Sequence, residues 1–265
     1  MNRVDPSKVI VVWDIGGSKY RKRLFPEYKK KRIEKRDDDD FQTFIDQVQI
    51  LRDRIFPVLG ITQAVKSGVE ADDVIYRLAK YYSVKKEKVI ILSGDTDLYQ
   101  LVSKRVSIIS PSRKRNDFIT NKNFTRITKG LDQDQFVSYK MLVGDPSDGI
   151  PGVPGFGDKT SRVALGHYKS AEEAVEHYDE LVKLMPRIAR YVTSKKAESI
   201  VDRNRKLIDL SIYNRPKRVK ASTKLLIESE LNEQEFRKIC KEFGFVYILS
   251  NFMDWIEPFK ELDRG

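Results

Sequence analysis

Residues 70–97, EADDVIYRLAKYYSVKKEKVIILSGDTD, pass from a helical pattern into a strand, and their reading decides the fold class. Ile75, Leu78, Ala79 and Tyr82 recur at helical spacing and predict an amphipathic helix from about Ala71 to Tyr82. Val89–Leu92 is an unbroken apolar run, mostly β-branched, the pattern of a buried strand. Outward from there, Lys8–Trp13 (KVIVVW) and Val106–Ile109 read as two further buried strands. Phe41, Phe44, Ile45 and Val48 predict an amphipathic helix over 41–55, with Asp37–Asp40 offering an N-cap and a charge that suits the helix dipole. Strands alternating with helices imply an α/β domain with a mainly parallel sheet.

After about residue 135 helical patterns take over, interrupted by the Gly/Pro-rich stretch Gly149–Gly157 and resuming over roughly 159–205 and 233–262. The segment 206–232 shows no readable period. The expected division is therefore 1–135 and 136–265.

Composition narrows the function classes. The 50 Lys+Arg against 39 Asp+Glu give a net charge of +11, which favours a polyanionic partner. The one cysteine, Cys240, excludes a disulfide framework and a Cys-rich zinc site, and fits a reducing cytosol. The two histidines, His167 and His177, leave oxygen as the donor for any metal. No apolar run is long enough for a membrane span, and MNRVDPSKV lacks the apolar core of a signal peptide, so a cytoplasmic protein without a membrane partner is expected.

Acidic residues fall at element ends. Asp14 follows the first strand; Glu70, Asp72 and Asp73 open the helix that begins at Ala71; Asp95 and Asp97 follow Val89–Leu92; Asp145 and Asp148 precede the Gly/Pro turn. On an extended chain Asp95 and Asp97 point the same way. Strand C-termini of a parallel sheet converge on one crevice, where Asp14, Asp95 and Asp97 are expected to meet. Two like charges 4 Å apart repel by about 4 kcal/mol at an effective dielectric near 20. Hard divalent cations such as Mg²⁺ remove that cost, and a pair of them can activate water and stabilise the leaving oxygen of a phosphodiester. Each cluster also has a plain reading as a cap or a solvated turn; it is the coincidence of all of them in a basic chain that points to metal.

The stretch Gly144–Thr160, GDPSDGIPGVPGFGDKT, carries Gly152, Gly155 and Gly157, which permit positive φ and close approach of another chain. A helix starting near Asp158–Thr160 would present free N–H groups to a phosphate, with Lys159 and Arg162 nearby, and such backbone contacts read no base identity. The Lys/Arg-dense run Ser18–Arg36 interleaves Tyr20, Phe25 and Tyr28. Lys29 and Arg32 could offset charge on a scissile phosphate. The aromatics either stack on unpaired bases or pack the arm onto its domain.

The succession VVWDIGGSKYR…PEYKKKR, GVEADD, SGDTDLYQLV and GDPSDGIPGVPGFGDKT resembles the 5′ nuclease superfamily, which includes flap endonucleases, phage 5′–3′ exonucleases and the 5′-nuclease domain of bacterial DNA polymerase I. The phage and bacterial branch is the most similar. The resemblance implies a PIN-like α/β core with a basic arch segment at 18–36, then a helical duplex-binding region with a helix–three-turn–helix at about 138–168. It implies hydrolysis at 5′ flaps, 5′ ends or RNA primers on DNA with Mg²⁺ (or Mn²⁺), two ions being expected, in a bacterial cell or phage-infected host. Asp14, Glu70, Asp72, Asp73, Asp95, Asp97, Asp145 and Asp148 become metal ligands or their water-bridged neighbours, and Lys29 and Arg32 the catalytic basic pair. Arg21, Lys22, Gly152, Gly155, Gly157, Lys159, Thr160 and Arg162 become DNA contacts, and the Gly152–Gly157 carbonyls a K⁺ site.

Two departures accompany the resemblance. The family's usual first strand, ending in Asp-Gly, and the helix after it have no counterpart before Asp14, and Asp5 precedes a strand instead of ending one. Gly149 stands where Asn is common. A separate polypeptide supplying that strand is one expectation; a branched-DNA-binding protein without catalysis is the alternative to the nuclease, and a PIN-type ribonuclease a weaker third.

Overall fold

The computed structural model describes residues 4–30, 39–111, 118–213 and 222–262. Contacts group the chain into two compact units that do not follow chain order: 1–17, 34–74 and 223–265 form the first, 18–33 and 75–222 the second.

In the first unit β1 (Ile10–Trp13) runs parallel to β2 (Thr62–Val65), in register from Ile10↔Thr62 to Trp13↔Val65. A short strand, Leu226–Ile227, joins β2 antiparallel. That strand comes from the stretch without readable period, because two residues of pairing leave no pattern to detect. Trp13 Nε1 donates to Gln63 Oε1 at 2.6 Å, and Gln63 Nε2 donates to the Arg52 carbonyl, so the buried amide is used on both sides. The core is Ile55, Leu59, Ile61, Phe236, Ile239, Cys240, Phe252 and Ile256, with Trp255 stacked on Phe236. The expected 41–55 helix forms as a helix over Asp39–Ile50 that widens into a π-helical turn at Leu51–Ile55. Its apolar stripe is only partly used, since Phe44, Ile45 and Leu51 stay exposed.

The helix Ala71–Val84 carries the chain into the second unit after Val74. There β3 (Val89–Leu92) lies parallel to β4 (Val106–Ile109), and β5 (Phe118–Ile119) adds antiparallel to β4. The parallel pairs are thus the longer ones in both sheets. β3 pairs with β4 alone among the described strands, and Ile90 and Leu92 on it are exposed. An all-apolar strand normally has both faces covered. The rest of this unit is helical: Gln133–Val143, Asp158–His167, Ala171–Glu176, Tyr178–Leu184 and Ser194–Ile208. They close around Leu98, Ile108, Phe124, Phe136, Met141, Leu142, Leu181 and Val201. Asp132 and Gln135 form a capping box that fixes where Gln133–Val143 begins. No helix among the described residues is long and apolar enough to cross a membrane.

Candidate metal centre

The helix Gln133–Val143 stops at Gly144, whose φ of +81° turns the chain into a two-residue hairpin, Gly144–Asp145 against Ile150–Pro151. The hairpin loop is tied by its own acid. Asp145 Oδ1 accepts from Ser147 N–H at 2.9 Å and Ser147 Oγ–H at 2.7 Å, leaving Oδ2 to face Lys140 Nζ at 2.7 Å. Lys140 Nζ also bonds Asp97 Oδ1. Asp97 comes from the turn of 3₁₀ helix after β3, Thr96–Leu101, which Asp95 caps by accepting Asp97 N–H at 2.8 Å. Asp97, Asp145 and Asp148 each place a carboxylate oxygen within 4.8 Å of the others.

The turn after the short helix Lys19–Leu24 closes on this group. Tyr28 is buried and its hydroxyl donates to Asp148 Oδ2 at 3.1 Å; Lys29 Nζ stands 3.5 Å from the same oxygen. Lys29 N–H donates to the Asp148 carbonyl at 2.8 Å, and Lys29 takes φ +56° to do so. Left-handed backbone costs a non-glycine residue about 1–2 kcal/mol, and such strain persists where the surroundings over-determine it.

Electrostatics separates the two best-defined acids. Burial pushes the Asp97 carboxyl up to about 6, against the pull of Lys140. Burial acts in the same sense on Asp145, but hydrogen bonds from Lys140 and Ser147 overcome it and hold that carboxyl down at about 2. Burial alone would lower Lys140; the facing Asp97 and Asp145 carboxylates overcome it and raise its pKa. The donor set is all carboxylate oxygen, which suits a hard divalent cation and not a soft one.

The other expected residues are placed as follows. Asp14 is exposed after β1; Glu70 and Asp73 are buried and Asp72 half-buried at the start of Ala71–Val84, all in the first unit. Asp95 is exposed and acts as the cap just described, so Asp95 and Asp97 do not lie side by side on extended chain as expected. Arg32 lies outside the described residues. Arg21, expected to contact DNA, is buried with Nε donating to the Leu207 carbonyl at 2.8 Å, because a helix C-terminus nearby needs that donor. Lys22 is exposed. Phe25 and Tyr28 pack with Ile150, Leu207 and Ile208, which settles both as packing residues.

Of Gly152, Gly155 and Gly157, only Gly155 has positive φ (+88°). Gly152 is needed for close approach to this chain's own Val143 carbonyl, and Gly157 is the N-cap of Asp158–His167 at φ −82°. Lys159 is exposed and Thr160 half-buried at that helix start. Arg162 is committed elsewhere: it pairs with Asp158 and donates to the Thr128 and Lys129 carbonyls.

Two residues of the site escape the sequence patterns. Lys140 directly precedes the apolar Met141–Val143, and its only signal is a lysine five positions before Asp145 in the last turn of a helix. Asn204 is fully buried and donates to the Met141 and Pro151 carbonyls, tying the hairpin to the helix Ser194–Ile208. A helical Asn carries no sequence mark of such a role.

Comparison with known proteins agrees with this architecture. Residues 1–129 match the family model for the 5′-3′ exonuclease N-terminal resolvase-like domain, and residues 131–227 that for the 5′-3′ exonuclease C-terminal SAM fold. A 5′-3′ exonuclease of Buchnera aphidicola is 29% identical over 245 residues, covering 90% of this chain and 77% of the relative. The thermostable DNA polymerase I of Thermus thermophilus is 33% identical over 177 residues, 67% of this chain but only 20% of the polymerase. A crystal structure of the bacteriophage T5 flap endonuclease with DNA and metal ions superposes with a TM-score of 0.66 at 24% identity, covering 82% of each chain. With both halves of the family matched in order, the chain belongs to the 5′-3′ exonucleases of the 5′ nuclease superfamily.

Proposed function

We propose that this chain is a structure-specific 5′ nuclease that hydrolyses phosphodiesters of DNA, or of RNA primers on DNA, at 5′ flaps or 5′ ends during replication or repair. The observation that carries the reading is the Asp97–Asp145–Asp148 group with Lys140 and Lys29 against it, in a chain of net charge +11. A divalent cation, Mg²⁺ or Mn²⁺, supplies Lewis acidity toward water and the phosphodiester when bound there. Asp97, Asp145 and Asp148 hold it, with Asp14, Glu70, Asp72, Asp73 and Asp95 as further ligands or water-bridged neighbours for two ions. Lys29, with Arg32, steadies charge on the scissile phosphate. Lys22, Lys159, Thr160 and the free N–H groups at the start of Asp158–His167 bind the duplex backbone without reading bases. The Gly152–Gly157 carbonyls hold K⁺. The setting is the cytoplasm of a bacterial or phage-infected cell.

The direct test is a 5′-flap DNA incubated with the chain in Mg²⁺ and in EDTA. Mg²⁺-dependent cutting near the junction, lost in Asp148→Asn, supports the nuclease. Tight binding without cutting supports the DNA-binding alternative.

One observation favours a second polypeptide. Among the described strands β3 is paired on one side only, Ile90 (40%) and Leu92 (71%) stand exposed on one of its faces, and an unguarded apolar edge strand invites another strand. A strand supplied in trans would pair with that edge. Restored cutting on adding a β-rich partner segment supports this, whereas full activity of the lone chain counts against it.

A further inference from the structure

The metal ligands and the phosphate contacts of the proposed reaction leave Lys140 without a role, yet it is the most enclosed cation of the site. Its side chain is 13% exposed, on the last turn of Gln133–Val143, five residues before Asp145. It does not approach the carboxylates from outside, as Lys29 does at 3.5 Å from a single Asp148 oxygen. Its ammonium stands between Asp97 and Asp145, bonded to both, the latter at 2.7 Å. Those are two of the three carboxylates that converge within 4.8 Å. A positive charge between two members of such a group occupies the place where a metal cation gains most from them.

We infer that Lys140 is a built-in cation that holds the carboxylate cluster together before metal arrives and competes with the divalent ion for it. This rests on the metal reading of the same cluster. Lys140 thereby acts as a positioning residue that sets how much free metal the site needs. When a divalent ion enters, the Lys140 ammonium gives up at least part of its contact with Asp97 and Asp145, and that loss subtracts from metal affinity. The converse follows for the metal-free chain: without Lys140, Asp97 and Asp145 face each other with no counter-charge between them, and the hairpin loses its tie to the 3₁₀ turn.

The test is Mn²⁺ binding followed by electron paramagnetic resonance of the free ion, on wild type, Lys140→Met, Lys140→Arg and Asp148→Asn, with melting temperatures in EDTA and in saturating Mn²⁺. Lys140→Met is expected to bind Mn²⁺ about tenfold or more tightly than wild type, since one like charge beside the dication is gone. It should also melt lower in EDTA and gain more from Mn²⁺. Lys140→Arg, which keeps the charge, should stay near wild type. A side chain that only packs would weaken metal binding when removed, so the sign of the change separates the two roles. Unchanged or weaker binding by folded Lys140→Met overturns the inference. Should Lys140→Met not fold in EDTA, Lys140→Gln read at saturating and limiting Mn²⁺ gives the same comparison. Loss of binding in Asp148→Asn with no gain in Lys140→Met refutes the role of Lys140 alone; equal binding by wild type and Asp148→Asn refutes the metal site itself.

Discussion

Three glycines of one turn look alike in the sequence and should behave differently when given a methyl group. At Gly152 an added Cβ would stand 2.2 Å from the Val143 carbonyl oxygen and 2.5 Å from that of Leu142. Both are backbone atoms, so no rotamer relieves the clash, and the strands must part by about 1 Å. That separation breaks the Val153 N–H to Leu142 carbonyl bond (2.7 Å) and the Gly144↔Pro151 pairing. A buried carbonyl left without its donor costs about 1–3 kcal/mol and forcing a methyl into a packed site about 1–3 kcal/mol more, so the two come to about 2–6 kcal/mol. At Gly155 the cost is that of φ +88°, about 1 kcal/mol, since the nearest neighbour is an exposed Tyr191 ring atom at 3.2 Å. At Gly157 nothing lies within 4 Å and φ is −82°. There the gain from a stiffer unfolded chain, about 0.4–1 kcal/mol, offsets the poorer N-cap. Urea denaturation of the three alanine variants should therefore rank Gly152→Ala far below Gly155→Ala, with Gly157→Ala within about 0.5 kcal/mol of wild type. Because Asp145 sits in the same hairpin, folded Gly152→Ala should also bind Mn²⁺ more weakly. A Gly152→Ala protein within 1 kcal/mol of Gly157→Ala would refute the close approach.

The metal-free protein should show two opposite pH effects. Asp97, at about 6 when folded, takes up its proton before the unfolded chain does, so it adds stability below about pH 4 that is lost as pH rises through 6. Asp97→Asn should flatten that fall in urea melts run in EDTA. Asp145, held at about 2, adds stability above about pH 4 that is lost as pH drops toward 2, and Asp145→Asn should remove this dependence. Asn204→Ala takes its buried donor from the Met141 carbonyl, while the Pro151 carbonyl keeps the Arg203 guanidinium, and should lower stability by about 1–3 kcal/mol, read as a shifted urea midpoint with unchanged slope. Lys29→Ala should retain Mn²⁺ binding within a few-fold while cleavage of flap DNA slows by about 10²–10³; equal loss of both would place Lys29 with the metal ligands instead.

What the sequence made legible was local. The runs KVIVVW, VIIL and VSII become strands because β-branched side chains suit a pleated surface, and the stripe at Ile75, Leu78, Ala79 and Tyr82 becomes a helix face. What stayed illegible depends on which distant group a residue meets. Arg21 belongs to a basic run whose charges look interchangeable, yet it is the member that reaches the Leu207 carbonyl and is buried for it. The Asp39–Ile50 helix has the apolar stripe of a packed helix, but Phe44 and Ile45 stay exposed among the described residues. The split into a β1–β2 sheet and a β3–β4 sheet is equally invisible, since each strand's own residues say it wants neighbours and not which ones.

The carboxylates show why capping and metal binding were hard to tell apart along the chain. The two roles need not compete, because a carboxylate has two oxygens. Asp145 spends Oδ1 on the turn, accepting from Ser147, and keeps Oδ2 for the Lys140 ammonium. The cap fixes the plane of the carboxylate, and that fixed plane is what points the second oxygen into the cluster. Asp95 uses Oδ1 the same way, and the bond it accepts from Asp97 N–H starts the 3₁₀ turn that delivers Asp97. An Asp at the end of a strand or helix is therefore weak as a sign of metal by itself. It gains force where its turn leaves an oxygen aimed at other acids, and that aim is a property of the folded hairpin, supplied here by the Gly144 turn and held by Asn204.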